Sequence, residues 1–567
     1  MNKLFATALL TLTALPLSAH VWDEMAILAR PNDSGTWDLD KYCFIQPTTY
    51  TNAVFLDYNN DGHLDLLIMG SGGDWNFPAS QKFLLLYRNL GPEEDYRFEK
   101  VTDTGLPQSC DEGYYNPVST GDFNHDGYTD VAVMTWNNGR NVEIYLNERG
   151  SGRFSPMGLP LEGATNGSVM LADIDNDGWL DLEYSGYSDR SATALKLYRN
   201  NTDGTVTDIS EAEVTGAFRG QSTVADLNGD GLLDIISCGN GDNWVRLSSI
   251  YLQKPEGGWR YVAESESGIT GASRANPLAA DLNADGIVDL VVNGEGADGS
   301  GYRTRIYYGT PDGSYSLDSS FPVVGINQDG GINLADWNHD GNMDLIVGGY
   351  LGTNDGDIPR YSSPLRVYEN IPEAAGIAGN TRPLSPASVT AEADGDMITI
   401  SWLPGDDAET AQEALRYNLL VRNDTSGEVY TLIPSDPLLG FLKVGTDLQT
   451  SLSSKVTEYT MSSFGPGEYT IGVQTLDQAY AGSPFTICNL TVEDTGVKDM
   501  GAEPGFTVTR TSDGILVEAP EDASVTIFTA SGVKVYDGEP GLLPLSKGIY
   551  LIGVATPGNA ATVKMLL

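Results

Sequence analysis

The sequence predicts an all-β protein: a six-bladed β-propeller, or a seven-bladed one, followed by two small β-sandwich domains. Three observations carry this prediction. An acidic nine-residue motif occurs six times, starting at Asp57, Asp122, Asp173, Asp226, Asp281 and Asp336. Short strand-like runs surround each copy, with no amphipathic helix between them, as in repeat folds whose unit is a small sheet. The chain also carries 65 glycines among 567 residues, enough for the many tight turns that short strands need.

Before the first repeat, Met1-Asn2-Lys3 leads into an apolar run from Leu4 to Ala14, then Pro16, Leu17, Ser18 and Ala19. This is a signal-peptide pattern over residues 1–19 with cleavage near Ala19, so the mature chain is expected to be secreted or on the cell surface, outside the outer membrane. No later stretch has the length of a membrane span. Lys and Arg number 32 against 78 Asp and Glu, a formal net charge of -46. Such a surface repels nucleic acid and anionic lipid but welcomes divalent cations. Four cysteines are too few for a disulfide framework. Cys43 and Cys110 hold near-equivalent places in neighbouring repeats, which leaves open one bridge or four buried thiols.

Each repeat divides into four strands. A first strand with small residues (Val169 to Ala172, Ser222 to Ala225, Ile332 to Ala335) precedes the acidic loop, and an apolar second strand follows it, such as Leu64 to Met69 or Leu345 to Val347. The third ends on an aromatic: Leu84 to Tyr87, Val142 to Tyr145, Leu195 to Tyr198, Ile250 to Tyr251, Arg305 to Tyr308 and Leu365 to Tyr368. A fourth follows a Gly or Asp turn, as in Arg97 to Val101 or Tyr315 to Leu317. Four antiparallel strands per repeat make propeller blades, with the small residues on the crowded inner strand. The last repeat lacks a fourth strand. The segment Met25 to Asp40 reads as a third and fourth strand, which completes that blade or founds a seventh.

The acidic loops have a chemical logic. Oxygens at positions one, three, five, seven and nine, with Gly at six for the sharp turn, wrap a hard cation. The side chains at one, three, five and nine are Asp57, Asn59, Asp61 and Asp65; Asp122, Asn124, Asp126 and Asp130; Asp173, Asp175, Asp177 and Asp181; Asp226, Asn228, Asp230 and Asp234; Asp281, Asn283, Asp285 and Asp289; Asp336, Asn338, Asp340 and Asp344. Position seven offers its backbone carbonyl from His63, Tyr128, Trp179, Leu232, Ile287 and Asn342. Position twelve holds Ile68, Val133, Tyr184, Ser237, Val292 or Val347 where a helical calcium hand has Glu, so the Asp at nine must complete the site. Up to six structural Ca2+ ions are expected.

These repeats resemble the FG-GAP and VCBS propellers, known from integrin α-subunits, several lectins and many bacterial surface proteins. The resemblance covers roughly residues 22–378, within a propeller domain placed at 20–378. It implies that the calcium loops are structural and join first to second strands on the lower face, while ligands meet the upper face. Residues 381–495 resemble a fibronectin type III module, with Trp402 as core tryptophan and Tyr469 as a tyrosine corner. Residues 500–567 are similar to the C-terminal sorting domain of the type IX secretion system, through Gly532, the Gly548-Ile549-Tyr550 triplet and Lys564. That similarity implies the secretion machinery as a partner, the middle module then serving as a spacer.

For an enzyme the sequence offers no catalytic residues to name. His63, His125 and His339 sit inside the acidic loops, and His20 adjoins the cleavage point. None is free for a nucleophile-base pair, and a copper site at His20 lacks a second free histidine. No phosphate loop, HExxH helix or GxSxG elbow occurs. The expected function is binding of a glycan or protein on the face opposite the calcium loops. A polysaccharide lyase or other glycan-active propeller enzyme is the alternative, and a purely structural surface protein is the third reading. In antiparallel blades the second-to-third connections lie at the end away from the calcium loops, and each carries an aromatic: Trp75, Trp136, Tyr187, Trp244, Tyr302 and Tyr350. Arg140, Arg190, Arg219, Arg246, Arg274, Arg303 and Arg360 lie in the same connections or in the loops entering the first strands. Aromatics interleaved with arginine suit sugar faces or peptides; the competing role is packing over blade edges.

Overall fold

The computed structural model describes residues 22–29, 48–72, 81–91, 94, 98–108, 117–135, 140–188, 193–319, 331–336, 340–348, 365–372, 378–443, 448–493, 507–511, 514–520, 523–529, 534–545, 549–556 and 559–566. Among them, six sets of antiparallel strands follow one another along the chain, the fourth and fifth joined through Leu247 and Ala272 into one eight-stranded sheet. The first holds Thr48–Leu56, Asp65–Gly72, Gln81–Asn89 and Phe98–Lys100, and the second Val118–Gly121, Asp130–Thr135, Asn141–Asn147 and Phe154–Pro156. The third has Ala164–Thr165 and Val169–Ala172 beside Asp181–Ser188, then Ala194–Asn200 and Val206–Asp208. Phe218–Ala225, Asp234–Asn240, Arg246–Gln253 and Trp259–Val262 form the fourth, and Ala272–Ala280, Asp289–Gly296, Tyr302–Gly309 and Tyr315–Leu317 the fifth. The sixth comprises Gly331–Ala335, Asp344–Gly348 and Leu365–Asn370. Its outer strand is Trp22–Ala29, paired antiparallel with Leu365–Asn370. The N-terminal segment thus adds Trp22–Ala29 to the last sheet, and residues 30–40, where the second expected strand falls, lie outside the described residues.

The burial pattern explains the order. Each second strand starts at the ninth loop residue and is covered on both faces, so apolar residues dominate most of them; Val131, Ala132, Val133 and Met134 are all 0% exposed, as are Glu183 and Ser185 in the third repeat. The cores lie between successive sheets. Leu67, Met69 and Leu86 meet Val118, Val131 and Val133; Ile144 meets Val169 and Leu182; Leu197 meets Val224 and Ile235; Ile236 and Ile250 meet Leu290 and Val292; and Val291 and Ile306 meet Leu334 and Leu345. Each such side chain contributes roughly 1.5–3 kcal/mol on burial. First strands of neighbouring repeats lie against one another, which is why they end on small residues such as Gly121, Ala172, Ala225 and Ala280.

Residues 384–492 form two further sheets, Ser388–Asp394, Met397–Leu403 and Glu458–Ser462 in one, and Val429–Thr431, Arg416–Asn423, Gly467–Leu476 and Thr486–Val492 in the other, where Leu452–Ser453 also pairs. Trp402 is buried between them, its ring 5.4 Å from that of Tyr417, and the Tyr469 hydroxyl accepts a bond from Asn423 Nδ2 at 3.1 Å. This module is not a spacer. It belongs to the same compact unit as the repeats and rests on their acidic loops. Val429 N–H donates to the Asn60 carbonyl (3.0 Å), Asp281 N–H to the Gln478 carbonyl (2.9 Å) and the Tyr480 hydroxyl to the Ala279 carbonyl (2.7 Å).

The C-terminal unit is a small sandwich of its own. Thr507–Thr511, Gly514–Glu518 and Gly541–Leu543 form one sheet, and Lys534–Gly538, Ser524–Thr529, Ile549–Thr556 and Asn559–Leu566 the other. Val517, Val525, Ile527, Ile552 and Val554 fill its core. Of the residues that suggested a sorting domain, Gly532 and Gly548 lie outside the described residues. Cys43 and Cys110 do so as well, while Cys238 and Cys488 are free thiols.

Acidic loops and the opposite face

The acidic loops fold alike over their described residues. The first Asp accepts the backbone N–H of positions five and six, at 2.7–3.2 Å in every copy. The Asp at five accepts the N–H of position seven, as Asp61 does from His63 at 3.0 Å. Gly at six sits at φ between 79° and 93° throughout, a left-handed conformation that favours glycine. Position four is left-handed too, at φ 57° for Asn60, 55° for His125 and 59° for Asn176. These three side chains reach the Gly carbonyl at position six of the next loop: Asn60 to Gly127 (2.8 Å), His125 Nε2 to Gly178 (3.1 Å) and Asn176 to Gly231 (2.9 Å).

The ninth-position aspartates, Asp65, Asp130, Asp181, Asp234, Asp289 and Asp344, are each 0% exposed. One oxygen of each accepts a backbone N–H from the end of the third strand, at 2.7–2.9 Å. In five loops the other oxygen accepts the N–H of loop position two, at 2.9–3.2 Å. Each oxygen keeps a second lone pair for a cation.

Burial dominates the electrostatics. It pushes Asp57, Asp173 and Asp281 up to about 7, and Asp65, Asp122 and Asp181 to about 8, with neighbouring aspartates adding to the rise. Asp226 rises to about 6 from the same cause, and Asp130, Asp234 and Asp289 go well above the usual range. Metal-free loops therefore hold protons near neutrality, and a cation removes the reason for them. In the third loop, oxygens of Asp173, Asp175 and Asp177 all lie within 4.8 Å of one another. That separation fits three oxygens around one ion at 2.3–2.6 Å, the distance calcium takes. The all-oxygen donor set fits a hard cation. Asn338 and His339 lie outside the described residues. His125 is a structural histidine: burial lowers its pKa to about 4, and its ring stacks on Trp179 at 3.6 Å.

One family of residues escaped the sequence reading. Two residues after the third-strand aromatic stand Asn89, Asn147, Asn200, Gln253, Gly309 and Asn370. Asn147 Nδ2 donates to the Tyr58 carbonyl of the preceding loop (2.7 Å), Asn200 to Phe123 (2.9 Å), Gln253 to Ile174 (3.1 Å) and Asn370 to Leu282 (2.7 Å). These amides tie the first, second, third and fifth acidic loops to the following repeat. The signal was a Tyr-x-Asn pattern beside the aromatic.

At the other end of the strands, Trp75, Trp136, Arg190, Tyr350 and Arg360 lie outside the described residues. The rest divide into two groups. Arg140 lies over the Tyr187 ring at 4.6 Å and Arg219 over Trp244 at 4.9 Å. Phe218, which the sequence reading did not single out, bridges them from the fourth repeat, 6.1 Å from Tyr187 of the third and 5.2 Å from Trp244 of its own. Tyr187 is 40% and Trp244 61% exposed. In the second group, Arg246 pairs with Glu295 at 2.5 Å, Arg274 approaches the same carboxylate at 3.8 Å, and Arg274 donates to the Tyr302 hydroxyl at 2.5 Å. Glu295 thus offsets part of the positive charge expected here. Arg303 is exposed beside them. Arg219 and Arg274 occupy equivalent bulges in the first strands, with φ of 52° and 51°.

The fold and loops define a class: tandem four-stranded repeats, each carrying an acidic turn between its first two strands. A family model described as an FG-GAP-like repeat matches residues 57–133, 122–182, 185–237, 226–292 and 281–347, together just over half of the chain. The chain belongs to the FG-GAP-like repeat family. Cartilage acidic protein 1 of Mus musculus is 27% identical over 143 residues, 24% of this chain and 22% of that protein. A T-cell immunomodulatory protein homolog of Plasmodium yoelii yoelii is 27% identical over 273 residues, 42% of this chain and 37% of that one. The chain therefore spans well under half the length of either relative. Among solved structures, the V. cholerae biofilm matrix protein Bap1 is 14% identical, over 92% of this chain and 81% of that one, at a TM-score of 0.32, too low to carry a conclusion. No helix among the described residues is long and apolar enough to cross a membrane.

Proposed function

We propose that this protein is a secreted or cell-surface binding protein: a six-bladed, calcium-stabilised propeller that holds a ligand, a glycan foremost, on the face opposite its acidic loops. The observation that carries the reading is the run Arg140, Tyr187, Phe218, Trp244 and Arg219. Large rings stand 40% and 61% exposed there, with guanidinium groups held over them by cation-π contact. Core packing does not account for such exposure, and sugar rings stack on aromatic faces. Calcium, at up to six sites, would be held by the carboxylates at positions one, five and nine, the side chain at three and the carbonyl at seven. Bound there, it neutralises the clustered charge and fixes the first-to-second strand turns. The repeats are of the VCBS kind, residues 381–495 are a fibronectin type III module, and residues 500–567 are a type IX sorting domain; these assignments rest on the sequence motifs and the two sandwich topologies.

The test is retention of the full-length protein on an array of glycans and extracellular proteins, with and without calcium. Retention of a glycan set without turnover supports the reading. Release of unsaturated uronate products indicates a lyase instead, and absence of any retention points to a structural component. Deletion of residues 500–567 is expected to leave the repeats folded but in the periplasm; normal surface display of the shortened chain overturns the sorting assignment.

A further inference from the structure

The middle module presses on the acidic loops most closely at the second. Its strands Val429–Thr431 and Glu458–Ser462 are held there by specific bonds. The Tyr128 hydroxyl donates to Glu428 (2.5 Å), Ser462 N–H donates to the His125 carbonyl (3.0 Å), and His125 Nδ1 stands 3.0 Å from the Thr460 carbonyl. From these strands Tyr430 and Tyr459 enter the contact, 2% and 3% exposed. The Tyr459 ring lies 4.4 Å from that of His125. Both hydroxyls fall within the electrostatic reach of the Asp122 carboxylate, and Tyr430 lines one cavity with Asp57, Asn60, Asp122 and Thr129. The Tyr430 hydroxyl faces both the Asp122 carboxylate and the Tyr459 hydroxyl. Two buried phenols thus stand in line behind one carboxylate that the calcium reading assigns to the ion.

We propose that Tyr430 and Tyr459 complete the second cation site from outside the repeat, donating to the shell of its ion through Asp122 or an ion-bound water. Occupancy of that loop and docking of the module are then linked. The inference rests on the calcium reading above. Because coupling is reciprocal, whatever the ion gains from the two phenols, the docked module gains from the ion. The third and fourth loops meet a different device. There the module brings Arg416, 4% exposed and anchored by Ser451 Oγ at 2.6 Å, to the electrostatic neighbourhood of Asp173 and Asp226. Arg416 stands behind those two loops where the second has phenols, so the phenol effect is assigned to the second loop.

The experiment uses the full chain as wild type, Tyr430→Phe, Tyr459→Phe and the double variant, with Tyr417→Phe as control, since that ring packs on Trp402 in the module core. Metal content is measured first, then calcium affinity by competition with a fluorescent chelator. Backbone exchange is followed at Val429–Thr431 and Glu458–Ser462 with and without calcium. The double variant is expected to weaken one calcium equivalent by ~10- to 100-fold, the usual effect of removing a partner behind a metal ligand, and the control to weaken none. Chelation is expected to speed exchange at both strands in the wild type and to change it far less in the double variant. If the double variant fails to fold, the single variants carry the same comparison. Unchanged affinity in the variants, or wild-type exchange that ignores calcium, overturns the inference alone. A wild-type chain that binds no calcium overturns the calcium reading and this inference with it.

Discussion

Asn147→Ala removes one of the amides that tie successive repeats. The side chain is 3% exposed, donates to the carbonyls of Tyr58 at 2.7 Å and Thr129 at 3.1 Å, and accepts Gly150 N–H at 2.9 Å. One buried and two part-buried backbone groups thus lose a partner at once. A buried group left unsatisfied costs ~1–3 kcal/mol, less where water enters, so a loss of about 2–4 kcal/mol is expected. Thermal unfolding of the full chain in calcium, with hydrogen exchange to locate the damage, reads this directly. The first transition is expected to fall by several degrees, with exchange rising in the first acidic loop and in Asn141–Asn147 while the fourth and fifth repeats stay protected. Asn201→Ala, which removes only exposed bonds, to Thr205 and from Thr207, serves as the reference and should stay within ~0.5 kcal/mol of wild type. Equal stability of the two variants refutes the idea that these amides hold the repeats together. The fifth repeat already has Gly309 at this place, and an added Cβ there meets the Val288 carbonyl at 2.6 Å, so Gly309→Asn should destabilise rather than supply a missing tie.

Two further outcomes follow from the loops and the opposite face. Loop aspartates sit near 3.9 when unfolded but at about 6 for Asp226, 7 for Asp57 and 8 for Asp65 in the metal-free fold; the folded state therefore binds more protons, and its stability is full at low pH and lost as pH rises through 6–8. The melting temperature of chelated protein should rise on going from pH 8.5 to 5.5, while calcium affinity falls over the same range; a chelated melt that drops with acidification contradicts the assignment. Trp136→Ala combined with Trp244→Ala should abolish glycan retention while moving the melting temperature by only a few degrees, because Trp244 is 61% exposed; a large loss of stability favours a packing role.

The fold was legible where its determinants are contiguous. The acidic loop packs its turn glycine, its oxygens and the start of the buried second strand into nine residues, so six copies announce themselves. What links one repeat to another was less visible. Asn147 and Tyr58, or Asn200 and Phe123, meet only after the chain has built a whole blade, and an Asn two places beyond a strand aromatic looks like an ordinary strand end. The docking of the middle module left no local trace at all. Tyr430, Tyr459 and Arg416 fit the alternation of sandwich strands, and only the assembled surface shows them set against Asp122, Asp173 and Asp226. On the opposite face the exposed aromatics were foreseen, but Phe218 as their bridge and Glu295 as the partner of two arginines were not, since each reaches a residue of the preceding repeat, Tyr187 or Arg246.

The central claim is that the acidic loops hold cations on which the repeats depend. Elemental analysis of the purified full chain, paired with thermal unfolding in calcium and in chelator, tests it most directly. The account predicts several calcium ions per chain, up to six, and a markedly lower melting temperature once they are removed. A chain without bound metal whose melt is the same in both conditions contradicts it.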